Sequence, residues 1–268
     1  MADDHNSEAL IAGLSSGYYM RLTVTSISEV IANVKLDRRR QLARLCQRLL
    51  SFGDCIDPQN ILLEKLIKSF EESSSFDWSS VDVGFPEAAD GISREENPTD
   101  EISQQVWTEN KETKDKFEAF YAKVKPLYES LFARGDAARP TTFSESMARL
   151  NKAGTFAAMA RSVYEKGAGH ATTDAVVRKF LNECPPFYAL MVALCVRRYT
   201  SYLKPSGAPS LKAHAADTFM AVCLPYCDLF VTADCGQLRC FREVVPFIGL
   251  GVTLKSYQEF RGGLAVAG

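Results

Sequence analysis

A short apolar run near the end of the chain places strong limits on the fold. Residues 229–233 read Leu-Phe-Val-Thr-Ala and are followed at once by Asp234, while Asp217 lies near the start of a helical stretch shortly before them. A run of this length and composition is typical of a strand buried in a parallel sheet. In such a sheet each connecting helix runs antiparallel to the strands, so helix starts and strand ends meet at one edge. The run therefore predicts an α/β fold in which acidic side chains gather at that edge.

Strands alternate with helices at both ends of the chain. The expected strands cover residues 20–25 and 229–233, with a further short strand around residue 253. The expected helices of these two parts cover residues 7–14, 26–33, 37–50, 57–67, 213–223 and 237–243, with a closing helical turn at 256–260. This alternation favours a parallel sheet with helices on both faces.

A change in composition separates the two ends from the middle of the chain. Residues 71–99 are rich in Ser, Gly, Pro and acidic side chains, which predicts a loop or linker. Residues 100–204 show only helical spacing of apolar side chains, with helices expected over 100–132, 144–166, 173–182 and 187–203. We therefore expect a discontinuous α/β domain made of residues 1–70 and 205–268, the linker over 71–99 and an all-helical insertion over 100–204.

The charge balance decides how the chain can meet a polyanion. Its 31 Lys and Arg residues against 33 Asp and Glu residues give a net charge of -2, so nucleic-acid binding requires a local basic patch. The densest such patch lies in the predicted helix 37–50 and consists of Arg38, Arg39, Arg40 and Arg44, followed by Arg48. It either contacts a phosphate backbone or forms a solvated helix face. No apolar run approaches the ~20 residues of a membrane span, and we expect a cytoplasmic protein without a membrane partner.

Three acidic residues from distant parts of the sequence are predicted to converge. Glu29 lies in the first turn of the helix after strand 20–25, Asp217 near the start of its helix, and Asp234 just after strand 229–233. All three would lie at the ligand-binding edge of the sheet. Mg²⁺ and Mn²⁺ prefer oxygen ligands, so a ring of carboxylates at this edge predicts a divalent-metal site.

Each of these side chains also has a purely structural interpretation, which the sequence leaves open. Glu29 can complete a capping box with Ser26. Asp217 can be a helix-start charge stabilised by the helix dipole, and Asp234 can cap the helix that follows it. Thr232, an unusual residue in an apolar strand, either positions Asp234 or a water molecule or is a hydrogen-bonded core hydroxyl.

The motifs around these acids resemble those of the PIN and PIN-like nuclease family. The similar segments are Thr-Ser-Ile-Ser-Glu-Val at 25–30, Asp217 in its helix, the run ending Val-Thr-Ala-Asp at 231–234, and the closing segment 251–260. The resemblance covers about residues 7–70 and 205–261 and does not extend to the helical middle. It implies a three-layer α/β/α domain with a large helical insertion.

The resemblance also implies a function. The expected activity is a Mg²⁺- or Mn²⁺-dependent endoribonuclease in which Glu29, Asp217 and Asp234 hold the metal and Thr232 helps to orient the ligands. RNA is then the expected partner, with a cognate inhibitor protein as another.

The sequence departs from the family pattern at its beginning. The family starts with a buried strand that ends in an Asp, whereas this chain begins Met-Ala-Asp-Asp close to the first predicted helix. Asp3 or Asp4 either substitutes for that carboxylate or is a solvated terminal residue. The departure suggests two alternatives: a natural chain with a further strand before Met1, or a catalytically inactive PIN-like module that binds RNA or a protein.

Overall fold

The computed structural model describes residues 7–33, 35–84, 140–202 and 215–266, with scattered helical residues from 104 to 122. These parts are mostly helical and contain short parallel strands. Among them no helix is both long enough and apolar enough to cross a membrane. The helices and parallel strands agree with the predicted α/β class. The three-layer α/β/α arrangement stays a prediction.

The chain separates into two compact units. The first comprises Met1–Leu62, Asp82–Thr113 and Gln258–Gly268, and the second comprises Leu63–Val81 and Lys114–Tyr257. Each unit contains one pair of parallel strands. The predicted domains assign all the strands to one discontinuous domain, so the compact units divide the chain differently.

The first unit is built around a pair of short strands and the helices that follow them. Its elements are α1 (Ser7–Gly17), β1 (Met20–Thr23), α2 (Val24–Ile31), α3 (Leu36–Leu50), β2 (Gly53–Ile56), the start of α4 (Gln59–Glu72) and most of α11 (Tyr257–Val266). Strands β1 and β2 are parallel, with Met20 opposite Gly53 and Thr23 opposite Ile56. The buried core between α2, α3 and β2 includes Ile27 and Cys46.

The second unit contains the helices of the middle of the chain and the second strand pair. Its elements include α5 (Phe143–Lys152), α6 (Thr155–Ala168), α7 (Asp174–Glu183), α8 (Pro185–Tyr202), α9 (Ala215–Phe219), a 3-10 segment (Met220–Tyr226), β3 (Leu229–Thr232), α10 (Cys235–Ile248) and β4 (Thr253–Ser256). Almost every residue of α8 from Phe187 to Tyr199 is buried, so this helix is the axis of the unit. Strands β3 and β4 are parallel, with Thr232 opposite Ser256.

The single helix predicted over residues 144–166 is wrong. Two helices, α5 and α6, occupy this stretch, and the chain turns between them at Gly154, which has a φ of 71°. Such a left-handed backbone angle is readily adopted only by glycine. The predicted end at residue 166 is close to the observed one, because α6 ends at Ala168 and Gly169 follows it with a φ of 76°.

Candidate functional site

Asp234 lies where β3 ends and α10 begins. Its Oδ1 accepts a hydrogen bond from the backbone N of Gln237 at 2.6 Å, so Asp234 is the N-cap of α10. The structural interpretation of this residue is therefore confirmed. Its side chain is exposed, and only Oδ1 accepts a hydrogen bond from the residues that the structure describes.

Thr232 holds the backbone of Asp234. The Thr232 Oγ1 accepts a hydrogen bond from the backbone N of Asp234 at 3.0 Å. Of the roles considered for this hydroxyl, the geometry supports the positioning of Asp234. The turn between β3 and α10 is thus fixed by one hydrogen bond on each side of the acidic residue.

Gln237 connects Asp234 with Asp217, a link that the sequence analysis missed. Its side chain is 5% exposed, and its Nε2 donates to the backbone carbonyl of Asp217 at 3.0 Å while its backbone N donates to Asp234. The sequence did indicate a link between Asp234 and Gln237, because an Asp followed three residues later by a Gln matches a capping box. In that motif the Gln side chain turns back to the cap residue, whereas here it reaches α9 instead.

Glu29 lies in the first unit, whereas Asp217 and Asp234 belong to the second. The predicted capping box of Ser26 and Glu29 is wrong: α2 begins at Val24, and the Oγ1 of Thr23 accepts from the backbone N of Ser26 at 3.3 Å. The strand ends earlier than expected, so the cap lies one turn earlier and Glu29 falls in the second turn of α2. Its role as a metal ligand stays a prediction.

The described residues contain no group of three or more His, Cys, Asp or Glu side chains that could hold a metal ion. Of the three predicted ligands, Asp217 and Asp234 are connected through one neighbour, Gln237. Asp3 and Asp4 lie outside the described residues.

The predicted basic patch on α3 contains fewer accessible arginines than expected. Arg39 is only 1% exposed, so it cannot contribute to an exposed patch. Arg48 forms an ion pair with Glu8, and this hydrogen bond lowers the pKa of the Glu8 carboxyl. Arg38 donates to the side chain of Gln41 at 2.8 Å.

Arg40 and Arg44 are the arginines of the predicted patch that remain for a contact with phosphate. Arg44 is exposed and Arg40 is half-buried, and neither forms an ion pair with a residue that the structure describes. Their spacing of four residues places them on one face of α3, about one turn apart. They form the part of the predicted patch best suited to contact phosphate groups.

A second acidic position follows β2, a strand that was not predicted. Asp57 comes directly after the end of β2 and is 1% exposed, and Gln59 accepts a hydrogen bond from the Oγ1 of Thr25 at 3.0 Å. Because β1 and β2 are parallel, Thr25 and Asp57 both lie at the carboxyl edge of this pair. An acid after a strand was the signal used for Asp234, and it failed for Asp57 because the strand itself was missed.

Comparison with family models, with curated proteins and with solved structures yields no match to this chain. Function is therefore inferred from the residues of the chain itself.

Proposed function

We propose that the chain is an endoribonuclease that uses Mg²⁺ or Mn²⁺ bound by Asp217 and Asp234. The observation that supports the proposal most is the double hydrogen bonding of Gln237, which ties these two residues together beside the carboxyl end of β3. This end of a parallel strand pair is where α/β proteins bind their ligands. The PIN-like resemblance of the sequence around Asp234 points to the same chemistry.

The donor set fits the proposed ion. Two carboxylates are a common protein contribution to a Mg²⁺ site, because this ion keeps several of its waters. Oxygen donors without thiolate or imidazole also suit Mg²⁺ and Mn²⁺ better than Zn²⁺. When bound, the ion would neutralise charge on a phosphodiester.

The residues around the two acids would hold the carboxylate of Asp234 and the backbone of Asp217 in place. Thr232 fixes the backbone of Asp234, and the buried amide of Gln237 fixes the carbonyl of Asp217. The hydrogen bond to Gln237 occupies Oδ1 of Asp234, so Oδ2 is the oxygen left to face a ligand. Functional carboxylates need this kind of support, since small displacements of a ligand cost activity.

Arg40 and Arg44 would supply the contact with RNA. Phosphate neutralisation by Lys and Arg dominates nonspecific nucleic-acid affinity and makes it depend on salt. The net charge of -2 gives the chain no general attraction to RNA, so binding would depend on this local face.

RNA cleavage with a matched pair of variants tests the proposal. Single-stranded RNA is incubated with Mn²⁺ and the wild-type chain, Asp234→Asn or Asp228→Asn. Asn caps helices about as well as Asp, so Asp234→Asn removes the charge and keeps the cap. Asp228 is exposed at the other end of β3 and is the control for the same chemical change.

We expect cleavage by the wild type and by Asp228→Asn, its loss on adding a chelator, and its loss in Asp234→Asn. Equal cleavage by all three proteins, or cleavage that persists in chelator, would contradict the proposal. Glu29→Gln, assayed beside them, shows whether the third predicted ligand contributes.

A catalytically inactive RNA-binding module is the second candidate. The observation that favours it is the pair of Arg40 and Arg44 on one face of α3, together with the lack of a group of three ligands among the described residues. It predicts RNA binding without cleavage at any metal concentration. In that case Arg44→Ala should reduce the slope of log affinity against log salt by about 1.

A further inference from the structure

Two neighbouring tyrosines are exposed where the chain enters β1. Tyr18 is 40% exposed and Tyr19 is 66% exposed, although both carry large apolar rings. Tyr18 is anchored, because its ring packs edge-on against buried Phe260 with the ring centroids 5.6 Å apart. Tyr19 instead projects most of its ring into solvent.

The ring of Tyr19 is held by charged groups that the strand pairing brings together. Arg21 and Asp54 are opposite residues in the β1–β2 register, and the Arg21 Nε lies 3.4 Å from the Asp54 Oδ1. The guanidinium of Arg21 lies 5.9 Å from the centroid of the Tyr19 ring, within the range of a cation–π contact. The negative charge of Asp54, with some burial and a hydrogen bond, raises the pKa of the Tyr19 hydroxyl.

An exposed ring held in this way is suited to stacking. The contact with Arg21 restricts the orientation of the ring before a ligand arrives, so less conformational entropy is lost on binding than for an uncontacted side chain. Bases of single-stranded nucleic acids stack on aromatic side chains, and this contact tolerates any base because each has a π-face. Bases in a duplex are stacked on one another and are not available to such a ring.

The end of α3 lies next to the start of β1 in the first unit. The backbone N of Met20, the residue after Tyr19, donates to the carbonyl of Phe52, so β1 starts beside the segment that follows α3. At 1.5 Å per residue, Arg44 lies about 9 Å before the end of α3 at Leu50.

We infer that Tyr19 is a stacking platform for an unpaired base of single-stranded RNA whose phosphates contact Arg40 and Arg44. The inference rests on the proposed function in one respect, namely that RNA is the ligand. It adds that the chain distinguishes single-stranded from double-stranded RNA, and it names the side chain that does so.

Fluorescence anisotropy with labelled RNA tests the inference on the full chain. Every variant also carries Asp234→Asn, so that the RNA stays intact during the measurement, and Asp234→Asn alone is the background protein. The ligands are a single-stranded oligonucleotide and a duplex of the same length. Tyr19→Ala removes the ring, Tyr19→Phe keeps it, and Leu36→Ala removes another exposed apolar side chain as a control.

We expect Tyr19→Ala to weaken single-strand binding by about 5- to 150-fold. Tyr19→Phe and Leu36→Ala should stay close to the background protein, and duplex binding should change little with any of them. The slope of affinity against salt should be kept in Tyr19→Ala, because the ring carries no charge.

The outcomes separate the inference from the proposed function. If the wild type cleaves RNA and Tyr19→Ala binds it as the background protein does, the platform is refuted and the nuclease proposal stands. If single-strand binding depends on Tyr19 but the wild type cleaves nothing, the platform stands and the nuclease proposal fails. No binding of single-stranded RNA, or a change only in self-association measured by sedimentation, refutes the platform.

Discussion

Gly53 is the residue at which the fold of the first unit can be tested most directly. A Cβ on Gly53 would lie 1.9 Å from the backbone O of Met20 and 2.7 Å from its backbone C. These are main-chain atoms of the neighbouring strand, so no side-chain rotation can relieve the overlap. Gly53→Ala should therefore separate the amino ends of β1 and β2.

The loss of stability in Gly53→Ala follows from the 1.9 Å between the added Cβ and the backbone O of Met20. Ordinary contact begins at 3.4 Å, so the strands must part by about 1.5 Å. That movement would also break the 3.2 Å hydrogen bond from the Met20 N to the Phe52 O. Overpacking costs about 1–3 kcal/mol and a lost hydrogen bond about 0.5–1.5 kcal/mol, so the free energy of unfolding should fall by about 3 kcal/mol. For a chain of this size that corresponds to a Tm lower by about 6–12 °C.

Thermal unfolding followed by circular dichroism measures the change, with Gly17→Ala as the control. Gly17 is the last residue of α1, and nothing lies within 4 Å of the position its Cβ would take. Alanine there should leave Tm unchanged or raise it slightly, since Ala favours helix over Gly. If Gly53→Ala were no less stable than Gly17→Ala, the register that places Met20 opposite Gly53 would be wrong.

Phe180 is fully buried against four other aromatic rings, so Phe180→Ala should lower the free energy of unfolding by about 3–5 kcal/mol in urea titrations. Asp234→Ala should remove about 1 kcal/mol with its cap, and calorimetry should show Asp234→Asn near wild type. The carbonyl of Ala171 and then the carboxylate of Glu71 raise the pKa of His170 above 6.5. Protonated His170 therefore stabilises the folded chain below pH 6.5, and this stabilisation is lost as the pH rises through the raised pKa. In His170→Gln the free energy of unfolding should no longer show this dependence on pH.

Elements with strong local signals could be predicted from the sequence. The helix expected over residues 37–50 is α3 (Leu36–Leu50), and the strand expected over 229–233 is β3 (Leu229–Thr232). In α3 the buried positions Ala43, Cys46 and Leu49 follow the helical spacing of apolar side chains, and the buried Arg39 one turn before them is not apolar. The local sequence was sufficient in both cases, from helical spacing in α3 and from a short apolar run in β3, although the four residues of β3 are half-buried and not fully buried as expected.

Strand β2 could not be predicted, because its four residues read Gly-Asp-Cys-Ile and show no alternation. It forms a strand because β1 lies beside it, which is a pairing between residues far apart in the sequence. The strength of strand preference depends on such neighbours more than on the residues themselves. The missed strand also concealed Asp57, the acid that follows it.

The candidate site was predicted in part for a similar reason. The sequence indicates that Asp217 and Asp234 lie at strand and helix ends, and their connection through Gln237 depends on how α9 meets the start of α10. A residue that joins two elements is visible only once their packing is known.

The capping role of Asp234 does not exclude a role as a metal ligand, because the two roles use different parts of the carboxylate. The cap requires one oxygen that accepts from the Gln237 N, and an amide oxygen can replace it. Metal binding requires negative charge and a second accessible oxygen, which an amide cannot provide. Capping in fact favours the ligand role, since the hydrogen bonds of Asp234 to Thr232 and Gln237 fix its position before any ion binds. If Asp234→Asn kept both its stability and its cleavage of RNA, the cap would be the whole function of this residue.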